Sequence, residues 1–189
     1  MRLFAAVDLS PEARDAMAVE QKRIAARLEP RGASLKWVRP DRAHLTLVFL
    51  GNVDTGRVAP LVEVAGQPID RVPFDITFSG SGVFPARGAP RVLWIGIGAG
   101  VDELTALQRE VSARIVALGF PIEARDFHPH LTLGRWTSSR PSDRARALAA
   151  AGAGALARQQ VAQVTLYESR LSAAGPAYVA LARATLTRR

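Results

Sequence analysis

The chain has 189 residues, 48% of them hydrophobic and 22% charged, with a formal net charge of +8. That is enough for one filled core or for two small lobes sharing one, while no stretch approaches the roughly 18 apolar residues of a membrane span. With no cysteine, disulfides, Cys-rich zinc sites and thiol catalysis are excluded.

Only Lys22 and Lys36 are lysines, so arginine carries the positive charge. Its planar fork suits phosphate or a nucleic-acid backbone; a coding bias that enriches Arg and Ala together explains the charge equally well. Residues 1–8 hold one basic residue and an apolar run broken at Asp8. That is too short for a signal peptide and predicts a first core strand over 3–9, in a soluble cytoplasmic protein. Ser10-Pro11-Glu12 reads as a helix start: a capping hydroxyl, a proline at the first helical position and a carboxylate at the positive dipole end. The helix is expected to run to about Leu28 and to end at Pro30 and Gly32, with Met17, Ile24 and Leu28 on its apolar stripe. A short strand at 35–38 leads through Pro40-Asp41 into a strand at 43–50, closed by Gly51-Asn52. A helix at 57–65 and a strand at 72–79 follow, then a bend or bulge at Gly80-Ser81-Gly82 and a hairpin-type loop at 87–90.

A second round begins with a strand at 92–97 and a helix at 101–118 carrying Leu104, Leu107, Val111, Ile115 and Leu118 on one face. Gly119 is its expected C-terminal glycine. Phe127-His128-Pro129 leads to another strand, Ser142 is expected to cap a helix through about 151, and Gly152 to Gly154 break it. Two last strands are expected at 161–171 and 177–186.

The two rounds share a tetrapeptide. Of three histidines, two open identical strands: His44-Leu45-Thr46-Leu47 and His130-Leu131-Thr132-Leu133. Residues 77–83 precede 165–171 by nearly the offset of the motif. Both point to an internal duplication and pseudo-twofold symmetry, with the motif strands facing each other across a cleft. The expectation is a single bilobal domain over 1–189, its halves about 1–90 and 91–189, in an arrangement that permits strands to be exchanged between lobes.

On a strand, alternate residues share a face, so each histidine is grouped with the threonine two positions on. Two imidazoles across a cleft can divide the work of an in-line displacement. One takes a proton from the nucleophile and the other supplies one to the leaving oxygen. The threonine hydroxyls can donate to phosphoryl oxygens, and Arg135 is a nearby cation. Two histidines are too few to hold a metal without a third partner, so no metal or other cofactor is expected. His128 is read as a third ligand, a site-lining residue or an ordinary strand-start residue. Arg135 has the wrong parity for the His130 face unless Gly134 bends the strand; otherwise it serves a salt bridge elsewhere. Phe49 shares parity with Leu45 and Leu47 and is expected in the core; Trp37, Trp94 and Trp136 are expected there too, although these three tryptophans could stack a base.

The paired motifs resemble the two-histidine (2H) phosphoesterase superfamily. More narrowly, the chain is similar to the LigT/ThpR-type RNA 2′,3′-cyclic phosphodiesterases, historically called 2′-5′ RNA ligases. The resemblance rests on Lys36-Trp37-Val38-Arg39-Pro40 leading into the first motif, on Phe127-His128-Pro129 leading into the second with Gly134-Arg135 after it, and on Leu3 to Val7, Tyr167-Glu168-Ser169 and Tyr178 to Leu181. It is weakest at 87–90 and in the Ala-rich stretch 147–157. It implies an α+β, bilobal LigT-like fold with two pseudo-symmetric antiparallel sheets, flanked by helices, and a central cleft. It implies metal-independent opening of an RNA terminal 2′,3′-cyclic phosphate to a 2′-phosphate, and weak reversible 2′-5′ ligation, by a monomer acting on RNA ends such as tRNA halves. In that reading His130 is the base, His44 the acid, and Thr46, Thr132 and Arg135 hold the phosphate; the sequence itself is symmetric and does not choose between the histidines. The alternatives are a phosphodiesterase acting on a small cyclic phosphate or oligoadenylate, and a non-catalytic RNA-binding module.

Overall fold

The computed structural model describes residues 1–28, 34–122, 126–152, 154–172 and 175–188. The expected helix stop at Pro30 and Gly32 lies outside these residues. Helix α1 (Pro11–Arg27) begins as its sequence predicts: the Ser10 hydroxyl accepts from the Ala13 amide at 3.2 Å and proline follows at once. Its buried face is Ala13, Met17, Gln21 and Ile24. Helix α3 (Val101–Ala117) buries Leu104, Leu107, Val111 and Ile115, the stripe read from the sequence. Helices α2 (Val58–Ala65) and α4 (Ser142–Ala150) are shorter. Ser142 does not cap α4. Pro141 holds the cap position, and the Asp143 carboxylate accepts the Arg140 amide at 2.8 Å instead.

Among the described residues, nine strands form two antiparallel sheets. They are β1 (Arg2–Asp8), β2 (Ser34–Trp37), β3 (His44–Asn52), β4 (Phe74–Phe84), β5 (Val92–Ile97), β6 (His130–Ser138), β7 (Ala155–Val161), β8 (Gln163–Ser172) and β9 (Gly175–Thr185). One sheet has the order β3-β1-β8-β9, the other β2-β6-β5-β4-β7. Setting β2 aside, the two sheets correspond strand for strand, with a motif strand at one side of each four. The third place is exchanged: β4, from the first half of the chain, lies in the sheet of the second motif, and β8, from the second half, lies in the sheet of the first. The sequence likeness of 77–83 to 165–171 thus marks equivalent strands but not equivalent residues. Ala6 and Trp94 are the β1 and β5 partners of Thr46 and Thr132. Their own partners on the far side are Thr165 and Gly82, so Thr165 is matched by Gly82 and not by Thr77.

Two strands differ from expectation. β4 continues through Gly80 to Phe84, and the register shift between Ser79 and Ser81 is the bulge that the glycines permit. β7 was not expected at all. Its sequence, ALARQQV, has one β-branched residue and puts Gln159 in the core-facing row, so hydrophobic alternation does not reveal it. It forms because β4 offers an edge and because Gln159, 6% exposed, has buried polar partners described below.

Candidate active site

His44 opens β3 and His130 opens β6, and the two strands approach each other across the space between the sheets. Both motif strands show the same burial: histidine and threonine half-buried, the two leucines buried, and the residue five beyond the histidine exposed. That fifth residue is Phe49 in one strand and Arg135 in the other.

The common pattern has a common cause. In β3 the register passes from Thr46, paired with Ala6, to Val48, paired with Ala5; in β6 it passes from Thr132, paired with Trp94, to Gly134, paired with Leu93. Leu47 and Leu133 are each an extra residue, a β-bulge at the same place in both copies. A bulge inverts parity for every residue beyond it. Arg135 is therefore turned onto the face of His130, as the bend at Gly134 suggested, and Phe49 is turned out of the core, contrary to expectation. Phe49 is 41% exposed, with the Arg2 guanidinium 5.0 Å above its ring.

A cavity of about 910 Å³ opens on this face. His130, Thr46, Arg135, Phe49, His128 and Phe84 are in its wall. His128 thus lines the site, one of the roles open to it. Trp37 and Trp136 pack on the core as expected, but Trp94 lies within the site's aromatic cluster, with ring centres 5.1 Å from Phe84 and 6.1 Å from His130. Sequence reasoning also passed over Phe84, whose ring meets His130 edge-on at 5.0 Å. The lone signal was its place just before the Arg-Gly loop.

Each histidine is oriented the same way. His44 Nδ1 donates to the Arg42 carbonyl at 3.0 Å, and His130 Nδ1 donates to the His128 carbonyl at 2.7 Å. A carbonyl can only accept, so in the neutral ring the proton is on Nδ1 and Nε2 carries the lone pair. Aromatic contacts fix the rings further: Phe4 and Tyr178 lie 4.7 and 5.0 Å from His44. Burial pushes both imidazoles below their usual pKa, and the Arg135 charge adds to the effect on both. The Arg135 charge is therefore felt at both rings.

The symmetry is broken beside each ring. The cross-strand partner of His44 is Asp8, whereas that of His130 is Gly96. The Asp8 carboxylate raises the proton affinity of His44; nothing comparable supports His130, where His128 lowers it further. Asp8 is built in. Its carboxylate accepts from the Tyr167 hydroxyl at 2.6 Å and from Thr165 at 2.9 Å, and burial beside this carboxylate pushes the Tyr167 phenol up to about 12. Gln159, on β7, donates to the Asp8 carbonyl at 3.0 Å and accepts from the Ser10 amide at 3.0 Å, tying the turn after β1 to the other sheet. None of these polar partners was signalled in the sequence by a motif. They come together through the strand exchange.

Among the described residues no cluster of three or more His, Cys, Asp or Glu side chains could hold a metal ion, and no helix is long and apolar enough to cross a membrane.

Comparison with known proteins agrees with this architecture. The family model for the 2′-5′ RNA ligase superfamily matches residues 7–172. An RNA 2′,3′-cyclic phosphodiesterase of Methanothermobacter thermautotrophicus is 34% identical over 180 residues, covering 94% of this chain and 95% of the relative. The protein of the same name from Archaeoglobus fulgidus is also 34% identical, over 94% of this chain and 96% of its own. Among solved structures, E. coli LigT complexed with 3′-AMP superimposes with a TM-score of 0.77 at 28% identity, covering 98% of both chains. With both motif strands, both bulges and the exchanged strands β4 and β8 inside the matched span, the chain belongs to the 2′-5′ RNA ligase superfamily.

Proposed function

We propose that this protein opens RNA ends bearing a 2′,3′-cyclic phosphate, tRNA halves among them, to the 2′-phosphate. The observation that carries the reading is the pair of histidines at equivalent places in the two motif strands, with the same Nδ1 anchoring and both within reach of the Arg135 charge. In this reading Arg135 and the hydroxyls of Thr46 and Thr132 hold the phosphoryl oxygens. Neutral His130 takes a proton from water through Nε2 as the water oxygen bonds to phosphorus. His44, carrying a proton, gives it to the 3′ oxygen as the bond from that oxygen to phosphorus breaks. Asp8 supports this assignment of roles, since it favours the charged form of His44 alone. The anionic phosphate raises the proton affinity of both rings when it binds, which offsets their burial. A 5′-hydroxyl in place of water would give a 2′-5′ linkage, the expected side activity. One chain supplies all five groups, so the reading needs no second copy and no metal.

The test is a short RNA ending in a 2′,3′-cyclic phosphate, incubated with the protein in excess EDTA, with the product identified by its phosphate position. His44→Ala and His130→Ala should each lose about two to four orders of magnitude in rate. Turnover untouched by either substitution, or abolished by EDTA alone, would sink the mechanism.

A further inference from the structure

The loop at 85–91, between β4 and β5, forms one side of the cavity through Pro85, Arg87, Ala89 and Arg91. It is held in an unusual way. Arg144, on α4, directs its guanidinium at three backbone carbonyls of this loop. It donates to Pro85 at 2.8 Å, to Gly88 at 3.1 Å, and to Ala86. The Ser139 hydroxyl donates to the Pro90 carbonyl at 2.5 Å, and the Arg91 amide to the Phe84 carbonyl at 2.6 Å. A guanidinium engaged with three carbonyls is committed to shaping the chain and not to binding a ligand.

The loop so held presents two further arginines. Among the described residues, neither Arg87 nor Arg91 has a side-chain hydrogen bond or an ion pair, and Arg135 stands in the same wall. Among the described residues, Asp126 is the one carboxylate lining the cavity. Three guanidiniums facing one space with so little compensation repel one another, and a ligand of more than one negative charge relieves this. In the reading proposed above, the reacting phosphate occupies Arg135. Arg87 and Arg91 then remain for a second phosphate. A cavity of about 910 Å³ lies near the top of the roughly 300–1,000 Å³ range of ligand pockets, so it has room beyond a single phosphate and ribose.

We propose that Arg87 and Arg91 form a second phosphate site, which binds the internucleotide phosphodiester on the 5′ side of the terminal nucleotide. Arg144 is the positioning residue that holds the site in shape. The inference rests on the cyclic-phosphodiesterase reading and adds the residues that hold the strand beside its reacting end.

The test compares kcat/KM for a 2′,3′-cyclic mononucleotide, for a dinucleotide with the same cyclic end, and for that dinucleotide with an uncharged methylphosphonate linkage. The intact protein should favour the charged dinucleotide about tenfold or more, the effect of one charge-assisted hydrogen bond, and the methylphosphonate should lose that advantage. In Arg87→Ala/Arg91→Ala the ratio of dinucleotide to mononucleotide should fall towards one. Arg144→Ala should raise KM for the dinucleotide with little change in kcat, a split that general destabilisation would not produce. Equal use of all three substrates by the intact protein, or a ratio unmoved in the double variant, would overturn the second site and leave the cyclic-phosphodiesterase reading standing. Failure to open any of the three would remove both.

Discussion

Asp8 gives two otherwise matched histidines different electrostatic surroundings. Its carboxylate, fixed by Tyr167 and Thr165, raises the proton affinity of His44, while burial and the Arg135 charge lower it. Asp8→Asn removes the raising contribution and leaves the lowering ones, so the pKa of His44 should fall further. If His44 is the acid, the basic limb of the pH profile of kcat/KM reports the loss of its proton and should move to lower pH, with the acid limb nearly in place. Rates measured from pH 4 to 9 for both proteins check this, and movement of the acid limb alone would reverse the roles of the histidines. The residues of the motif itself were legible because a tetrapeptide repeated in one chain is hard to miss. Asp8 was not, because a carboxylate ending a first strand looks like any strand end until the register shows which ring lies across from it.

At the scale of elements, the bulges in β3 and β6 decide which side chains reach the cleft. Parity along a regular strand gave the wrong side for Phe49, and for Arg135 it gave the right one only if the strand bent. An extra residue leaves no mark in a hydrophobic pattern, since Leu47-Val48 and Leu133-Gly134 both read as continuing apolar sequence. The bulge in β6 has its own support. Gln21, on the buried face of α1 and 7% exposed, donates from Nε2 to the Leu133 carbonyl at 2.9 Å and to the Val38 carbonyl at 2.7 Å. Gln21→Leu keeps the volume and takes its donor from the Val38 carbonyl, while the Leu133 carbonyl keeps the Val38 amide at 2.9 Å; this should cost about 1–3 kcal/mol in stability. It should also lower kcat/KM, because the bulge aims Arg135. A denaturant titration beside a rate measurement checks both effects, and a stability loss with an unchanged rate would show that Arg135 keeps its aim without Gln21. Gln21 sits in an apolar helical stripe, where sequence reading takes a glutamine for an interruption. β7 escaped for a related reason: its inward residues serve Asp8 and the β4 edge and not an apolar core.

The molecule as a whole follows from the exchange of β4 and β8. The two antiparallel sheets were expected from the resemblance, and the repeated motif and the helix stripes were visible in the sequence, because repeats and apolar periods are local signals. Which strand joins which sheet was not, because pairing over such distances is set by the whole assembly. We propose that the two halves form one cooperative unit. Cut near residue 90, the first half would keep β3 and β1 without the β8 edge, and β4 without β5. Residues 1–90 and 91–189 expressed separately should each lack a cooperative unfolding transition, and mixing them should restore it. A sharp transition in either half alone would contradict this.

The two copies of the motif differ at two matched places: Asp8 against Gly96 across from the histidine, and Phe49 against Arg135 beyond the bulge. The strands and bulges that carry them correspond between the two sheets. The proposed reaction distinguishes an entering oxygen from a departing one and so needs a polarity, and on that mechanism the polarity would be held by side chains and not by the backbone. Drift at a handful of positions would then be enough to exchange acid and base between the motifs, with every strand left where it is.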